Sequence, residues 1–202
     1  MRPSQTPHVI GIAGPSGSGK TSLALLLAAR LPGGGVVVAL DAYYRDQRGV
    51  PDDAINVDVP GALDHALLVA QVRTLSAGEI VQQPVYDYAN HARLAVTRTV
   101  YPAPFVIVEG LFALYWPEVR AVVTTPLYLS LDHERCLARR VERDARERGR
   151  SRDAVRMQYE RTVRPMYDRH VHPTRAHARL VLDATQPLET LAGRVLVAVT
   201  TP

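Results

Sequence analysis

One short segment of the chain has the residue types and the spacing of a phosphate-binding loop. It fits the pattern G-x-x-x-x-G-K-[ST] at every fixed position and consists of Gly14-Pro15-Ser16-Gly17-Ser18-Gly19-Lys20-Thr21. In such a loop the backbone N–H groups surround phosphate oxygens, the lysine reaches the β- and γ-phosphates, and the final hydroxyl can ligate Mg²⁺. The segment therefore predicts the binding of a nucleoside triphosphate.

Lys20 is the only lysine among 24 basic residues, so the other 23 are arginine. Lysine carries a compact ammonium on a flexible stem, whereas arginine presents a planar fork of donors. A chain that uses arginine everywhere else has kept lysine at the position that meets the phosphates. This distribution supports a functional phosphate-binding loop.

Two carboxylates follow apolar segments that are typical of core strands. Residues 36–40 are predicted to form a buried strand that ends at Asp41, and residues 105–108 another that ends at Glu109. In open α/β sheets ligands bind beyond the carboxyl ends of the strands, where the glycine loop also lies. One carboxylate could hold Mg²⁺ and the other could accept a proton from an attacking hydroxyl. These residues alone leave open which does which.

Apolar strands alternate with helices along the rest of the chain. Strands are predicted at 8–13, 36–40, 81–86, 96–101, 105–108, 127–131 and 178–182, and helices at 21–30, 63–76, 132–147, 152–171 and 188–199. The strands at 81–86 and 96–101 suggest a hairpin. The alternation predicts an α/β fold of the P-loop NTPase type, a doubly wound, mostly parallel sheet with helices on both faces.

Composition predicts one cytoplasmic domain. The 202 residues include 47% hydrophobic and 22% charged residues, as expected for one globular domain. The single cysteine, Cys136, excludes an internal disulfide framework and fits a reducing compartment. No apolar run approaches the roughly 20 residues of a membrane span, and the start of the chain lacks the apolar segment of a signal peptide.

The net charge of +4 and the isoelectric point near 9.5 could indicate nucleic-acid binding. However, twelve of the arginines lie between residues 135 and 169, where they alternate with acidic residues and few aromatics. Such a segment favours paired charges along helices, and Arg146 is the first candidate for a merely solvated position. We expect neither nucleic acid nor a membrane as a partner.

Two classes of nucleotide-binding protein are excluded by simple features. Guanine-specific P-loop proteins use an N/T-K-x-D motif, and this chain has no second lysine to build one. Motor and helicase functions would need a longer chain. A kinase that acts on a small molecule remains.

Several segments, taken in order, resemble the uridine kinase (uridine–cytidine kinase) family, which is related to phosphoribulokinase. The resemblance runs from the glycine loop to about Leu182 with spacing close to the family's. The first segments are Asp41-Ala42-Tyr43-Tyr44-Arg45 for D-S-F-Y-[KR], Asn56-Val57-Asp58-Val59-Pro60 for N-F-D-x-P, and residues 84–93 (PVYDYANHAR) for P-x-Y-D-F-x-x-H-x-R. The later ones are Val108-Glu109-Gly110-Leu111 for E-G-[IL], the lid-like residues 139–150 (RRVERDARERGR), Gln158-Tyr159, Arg164-Pro165 and Pro173-Thr174-Arg175.

The resemblance implies an enzyme that transfers the γ-phosphoryl group of ATP to the 5′-hydroxyl of uridine or cytidine, as in pyrimidine salvage. It implies a single kinase domain over residues 1–202, with an arginine-rich lid at about 139–152 and a nucleoside-binding hairpin at about 81–101. Mg²⁺ would accompany ATP, and relatives are often homo-oligomers.

The resemblance also implies roles for individual residues. Asp41 would be the general base, Lys20 would be catalytic, and Thr21 and Glu109 would hold the metal. On the nucleoside side, Asp58 would accept hydrogen bonds from the ribose hydroxyls. The other implied nucleoside contacts are Tyr44, Tyr86, Tyr88, His91, Arg140, Arg150 and Gln158, while Arg143 and Arg148 would face the phosphates of ATP.

Two positions depart from the family pattern, and two other functions remain open. Val57 replaces the family's usual aromatic residue, and Arg179 stands where an acidic residue is usual. One alternative is a kinase of another small alcohol, such as a sugar phosphate or pantothenate. The other is a non-catalytic nucleotide-binding regulator, which the presence of both Asp41 and Glu109 disfavours.

Overall fold

The computed structural model describes residues 6–51 and 54–200, without the side chains of residues 147 and 148. Its strands are β1 (His8–Ala13), β2 (Gly35–Ala39), β3 (Val81–Asp87), β4 (Ala92–Val100), β5 (Phe105–Glu109), β6 (Thr125–Ser130) and β7 (Leu180–Asp183). Its helices are α1 (Lys20–Arg30), α2 (His65–Ser76), α3 (Pro117–Arg120), α4 (His133–Arg148), α5 (Arg152–Gln158), α6 (Arg164–Met166) and α7 (Leu188–Thr200). Short 3-10 turns at Leu40–Tyr43, Pro60–Ala62 and His172–His177 join them.

Five parallel strands form the central sheet within the described residues, in the order β2-β5-β1-β6-β7. Alternate residues of the strands point to opposite faces. Val9 and Val108 belong to one buried cluster together with Leu68 and Val72 of α2. A second cluster holds strand residues such as Ile10 and Leu127, packed with α1 and α7. Helices therefore cover both faces, and the predicted doubly wound α/β fold is confirmed.

β3 and β4 form a separate antiparallel hairpin in which Val81 pairs with Val100 and Asp87 with Ala92. The predicted hairpin is confirmed, although its second strand begins at Ala92 and not at residue 96. Most of β4 is exposed, whereas Val81, Gln83 and Tyr86 of β3 are buried. β3 thus joins the hairpin to the body of the protein.

The region after α4 differs from the single regular helix predicted at 152–171. α4 is capped at its C-terminal end by Gly149, whose φ of 61° places it in the left-handed conformation that suits glycine. α5 then continues through π-helical turns at Tyr159–Val163 and Tyr167–Val171, which flank α6. Pro165 lies in α6 and has no N–H to donate to the carbonyl four residues earlier, so a regular α-helix cannot continue through it. No helix in the described ranges is both long and apolar enough to cross a membrane.

Candidate active site

A cleft of about 540 Å³ opens beyond the carboxyl ends of the central strands. It contains the ends of the glycine loop, the residues that follow β2 and β5, the hairpin, and the facing sides of α4 and α5. Its lining residues are Ser16, Gly17, Gly19, Lys20, Thr21, Ser22, Asp41, Tyr44, Val57, Asp58, Tyr86, Tyr88, His91, Glu109, Gly110, Leu111, Arg139, Arg140, Arg143, Arg146, Arg150 and Gln158. The volume is in the range of ordinary small-molecule sites.

The glycine loop connects β1 to α1 in a conformation that depends on glycine. Gly14 has a φ of 148°, and a Cβ at this position would lie 2.4 Å from the backbone oxygen of Leu129. Gly19 has a φ of 89° and immediately precedes α1. The loop therefore leaves β1 close against β6 and directs the N-terminus of α1, with its free N–H groups, towards the cleft.

Lys20 is the first residue of α1 and is 8% exposed. Its Nζ donates a hydrogen bond of 2.7 Å to the carbonyl oxygen of Pro15, which closes the loop on itself. Burial lowers the pKa of Lys20, while the charges of Glu109 and Asp41 oppose that shift. The ammonium is thus enclosed by the loop and lies near both carboxylates that follow the central strands.

Thr21 and Glu109 are brought together by the sheet. Glu109 is the last residue of β5 and pairs in register with Ile12 of β1 and Ala39 of β2. The hydroxyl of Thr21 donates a hydrogen bond of 2.9 Å to Oε1 of Glu109. Burial raises the pKa of Glu109, although Lys20 opposes the rise. A buried carboxylate beside a hydroxyl, both oxygen donors, fits Mg²⁺, which commonly takes one or two protein ligands plus substrate phosphates.

Asp41 lies one position beyond Leu40, in the 3-10 turn that follows β2. Because β2 and β5 are hydrogen-bonded neighbours, this turn lies at the same edge of the sheet as Glu109. Unlike Glu109, Asp41 is exposed, and it lines the cleft. It can therefore accept a proton from a ligand bound there.

Three tyrosines form an aromatic cluster at the hairpin end of the cleft. The ring centroids of Tyr44 and Tyr86 are 5.3 Å apart, and those of Tyr86 and Tyr88 are 5.2 Å apart. His91, in the turn of the hairpin, has a φ of 49°, a conformation that few non-glycine residues adopt. The hydroxyl of Tyr86 and Nδ1 of His91 are buried, and neither has a hydrogen-bond partner among the described residues.

Asp58 occupies the wall between the aromatic cluster and α4. Its side chain is buried, and its backbone N–H donates to Oδ1 of Asn56 at 3.0 Å. Burial raises the pKa of the Asp58 carboxyl, and the guanidinium of Arg140 opposes that rise. A buried acceptor that lines an open cleft is available to donors of a ligand.

Arg93 ties the hairpin to the segment that follows β2, a connection that the sequence analysis missed. Its guanidinium donates to the carbonyl oxygens of Tyr43 and Tyr44 at 2.8 and 3.1 Å. It also forms a 2.9 Å salt bridge with Asp64, the N-cap of α2. The aromatic cluster and the turn that carries Asp41 are therefore held to the same guanidinium.

The cationic wall of the cleft consists of arginines of α4 and of the turn after it, namely Arg139, Arg140, Arg143, Arg146 and Arg150, and α5 adds Gln158. Arg140 donates to Ser16 Oγ and to Gln158 Oε1, both at 3.2 Å. Arg150 donates to the same Gln158 oxygen at 2.7 Å. These contacts place the start of the glycine loop, the middle of α4 and the end of α5 around one part of the cleft.

Most of the predicted site residues line this one cleft. Gly14, Pro15 and Ser18 belong to the loop but do not line the cleft, and the side chain of Arg148 lies outside the described part of the structure. Arg146, the first candidate for a merely solvated position, is exposed as expected, but it also lines the cleft. Arg139 was also missed; it donates to Gly17 O at 3.3 Å and to Ala184 O at 3.1 Å.

The sequence profile of the Phosphoribulokinase / Uridine kinase family matches residues 9–190. The chain belongs to this family. It is 40% identical over 178 residues to a uridine kinase of Staphylococcus aureus (strain JH9), covering 86% of each chain. As a member of this family the chain is a kinase.

Solved structures support the same fold. The phosphoribulokinase of Rhodobacter spheroides superimposes with a TM-score of 0.65 at 16% identity, covering 92% of this chain and 75% of that one. A "possible uridine kinase" from Bacillus stearothermophilus has a TM-score of 0.58 at 22% identity, covering 90% and 91%. At these identities the two structures indicate the fold alone.

Proposed function

We propose that this kinase transfers the γ-phosphoryl group of ATP to the 5′-hydroxyl of uridine or cytidine. The observation that carries the proposal is the hairpin end of the cleft, where the buried Tyr86 hydroxyl and His91 Nδ1 lack partners among the described residues. Unpaired buried polar atoms cost free energy unless a ligand satisfies them. A pyrimidine offers polar edge atoms for such groups and flat faces for the tyrosine rings.

The acceptor nucleoside would lie between the hairpin and α4. Tyr44, Tyr86 and Tyr88 would contact the base, with His91 on its polar edge. Asp58 would accept hydrogen bonds from the ribose hydroxyls, and Arg140, Arg150 and Gln158 would close the same side. Val57, where the family usually has an aromatic residue, would leave the sugar wall smaller.

The transfer step would use groups at the carboxyl ends of the strands. Asp41 would accept the proton of the 5′-hydroxyl. The hydroxyl oxygen would form a bond to the γ-phosphorus while the bond between the γ-phosphorus and the β-phosphate oxygen breaks. The glycine loop and Lys20 would hold the triphosphate, and Arg143 and Arg148 would stabilise charge on the transferring phosphoryl oxygens. Thr21 and Glu109 would hold Mg²⁺, which supplies electrostatic stabilisation of the phosphates when bound.

The proposal is tested by an assay of ADP release over a panel of acceptors. The panel holds uridine, cytidine, purine nucleosides, a sugar phosphate and pantothenate, each with ATP and Mg²⁺. Turnover of uridine or cytidine well above the other acceptors is expected. A chain that turns over neither pyrimidine nucleoside, but does phosphorylate a sugar phosphate or pantothenate, belongs to the alternative class.

A pair of histidine variants tests the base pocket. His91→Ala is expected to raise the KM for the nucleoside by about 5–150-fold, the equivalent of about 1–3 kcal/mol for one lost polar partner, and to leave the KM for ATP unchanged. The control is His177→Ala, at an exposed position outside the cleft. An unchanged nucleoside KM in His91→Ala would remove the main support for a base pocket.

Other expectations remain predictions. They are cytoplasmic localisation, a role in pyrimidine salvage, assembly into a homo-oligomer and the absence of a nucleic-acid partner. The lid at about 139–152 and the nucleoside-binding role of the hairpin at 81–101 belong to the same proposal.

A further inference from the structure

Asp144 is the most deeply buried ionisable side chain on the cationic wall of the cleft. It lies on α4, its carboxylate is 0% exposed, and it does not line the cleft itself. Nothing in the proposed chemistry uses this residue. A charge is buried at such a cost only where other charges compensate it.

Three cleft-lining arginines surround that carboxylate. Arg143 Nε and Nη2 are each 2.9 Å from Asp144 Oδ1. Arg150 Nη1 is 3.6 Å and Arg140 Nε is 3.7 Å from Oδ2. Arg143 precedes Asp144 within α4, whereas Arg150 lies in the turn between α4 and α5, so one anion holds guanidinium groups of two segments.

The backbone of Asp144 holds the same turn. Its carbonyl oxygen accepts from the N–H of Gly149 and, at 3.2 Å, from the N–H of Arg150. The side chain and the main chain of Asp144 therefore both fix the position of Arg150. Without a central anion, three guanidinium groups at this spacing would repel each other.

The arginines joined by Asp144 face different parts of the cleft. Arg140 and Arg150 share Gln158 Oε1, and Arg140 also reaches Ser16 of the glycine loop. In the function proposed above, Arg143 faces the phosphates of ATP. We propose that Asp144 is a positioning residue, which aligns the arginines of the ATP side and the nucleoside side into one preorganised surface.

This inference rests on the proposed function, and the first experiment separates the two. The affinity of Asp144→Asn for ATP with Mg²⁺ is measured by isothermal titration calorimetry, which needs no acceptor. A several-fold higher Kd with an unchanged number of sites is expected. A purely structural role would instead reduce the number of sites at an unchanged Kd, and that result would overturn the inference.

Steady-state kinetics give the second test, with whichever acceptor the unaltered chain phosphorylates. In Asp144→Asn the guanidinium groups of the three arginines would be misplaced. This is expected to lower kcat on the order of 10²-fold and to raise the KM for both substrates. A loss of active protein alone would lower kcat and leave both KM values unchanged, against the inference. The matched control is Glu134→Gln, an exposed acid about 15 Å away on the same helix, which should behave like the unaltered chain.

A double-mutant cycle identifies the group through which Asp144 acts. The decrease in kcat caused by Asp144→Asn is expected to be several-fold smaller when Arg143 is already replaced by glutamine, because the side chain to be positioned is then absent. If the fold-decrease in kcat of the double variant equals the product of the two single-variant decreases, Asp144 does not act through Arg143.

If Asp144→Asn does not fold, Asp144→Glu distinguishes a positioning role from charge compensation alone. It keeps the charge that the arginines need but moves the carboxylate by one methylene group. Positioning predicts a folded protein whose kcat is lowered at least about tenfold. A folded glutamate variant with unaltered kinetics would contradict the inference, because charge compensation alone would then suffice.

Discussion

The Thr21 hydroxyl and the Glu109 carboxylate are joined by a 2.9 Å hydrogen bond, although 88 residues separate them in the sequence. Thr21 is the second residue of α1, and Glu109 ends β5, the strand next to β1. The parallel register of the two strands brings the glycine loop and the carboxylate to the same edge. This contact is where the proposed metal site can be examined directly.

Glu109→Gln keeps the shape of the side chain and removes the charge that would attract Mg²⁺. The Mg²⁺ concentration for half-maximal activity is expected to rise by about 10–100-fold. A Mg²⁺ titration of ADP release measures it. Thr21→Ser retains the hydroxyl and is the control, expected to shift much less; an unaltered Mg²⁺ requirement in Glu109→Gln would exclude Glu109 from the site.

Asp41→Asn removes the proposed proton acceptor at an exposed position. Turnover is expected to fall by about 10²–10⁴-fold, the usual contribution of general base catalysis, while the Kd for ATP stays the same. Stopped or coupled assays and nucleotide titrations measure the two quantities. Turnover equal to that of the unaltered chain would indicate that another group is the proton acceptor. Loss of ATP binding would indicate a structural role for Asp41.

Lys20→Arg keeps the positive charge but changes its shape. Lys20 is enclosed by its own loop and bonded to Pro15 O at 2.7 Å, so the larger planar guanidinium does not fit the same space. Turnover is expected to fall on the order of 10²–10³-fold, as when one preorganised donor is lost. Near-normal kcat in Lys20→Arg would show that charge alone is enough at this position.

Asp58→Asn tests the cost of a buried carboxylate in the unliganded protein. Because burial raises the pKa of Asp58 above its unfolded value of 3.8, the folded state binds the proton more tightly than the unfolded state. The free energy of unfolding therefore falls as pH rises from about 4 through the folded pKa. Asn, which does not ionise, should give a higher Tm than Asp at pH 8, and the difference should narrow towards pH 4.

Thermal unfolding without ligand, at several pH values between 4 and 8, measures this difference. Asp153→Asn is the control, because Asp153 is exposed at the start of α5. A lower Tm of Asp58→Asn at pH 8 would mean that Arg140 more than offsets the cost of burial.

Two glycine substitutions should shift stability in opposite directions. In Gly14→Ala the new Cβ would lie 2.4 Å from backbone of β6 at a φ of 148°, so the loop must move and Tm and turnover both fall. Gly193 lies inside α7 with no atom within 4 Å of an added Cβ. Gly193→Ala is expected to stabilise the protein by about 0.5–1 kcal/mol. Calorimetry of both variants measures the contrast, and a stabilised Gly14→Ala would contradict the close approach of Gly14 to the backbone of β6.

Local sequence patterns were sufficient to predict the secondary structure of segments that are apolar and buried. The strand at 8–13, the glycine loop and the helix after it follow from hydrophobic runs and from spacing alone. β4 was predicted to begin at Val96, four residues late, because residues 94–99 are exposed and their apolar residues (Leu94, Ala95 and Val96) do not alternate with polar ones. The π-helical turns around Pro165 likewise depend on how the chain accommodates a missing donor, which periodicity does not indicate.

The parts of the site that were missed depend on packing between distant segments. Arg93 contacts the carbonyls of Tyr43 and Tyr44 across about 50 residues, and nothing in the sequence marks that contact. Asp144 looked like one of several acids among twelve arginines. In the folded protein its side chain is fully buried among Arg140, Arg143 and Arg150, which the sequence pattern does not indicate.

The enclosed lysine also makes the chain unusual as a chemical substrate. Lys20 carries the only side-chain amine in the sequence, and burial lowers the pKa of that amine. An amine-selective acylating reagent thus has one side chain to modify, and that side chain lies where the triphosphate would bind. The extent of acylation at Lys20 would then report on occupancy of the glycine loop, without any engineered label.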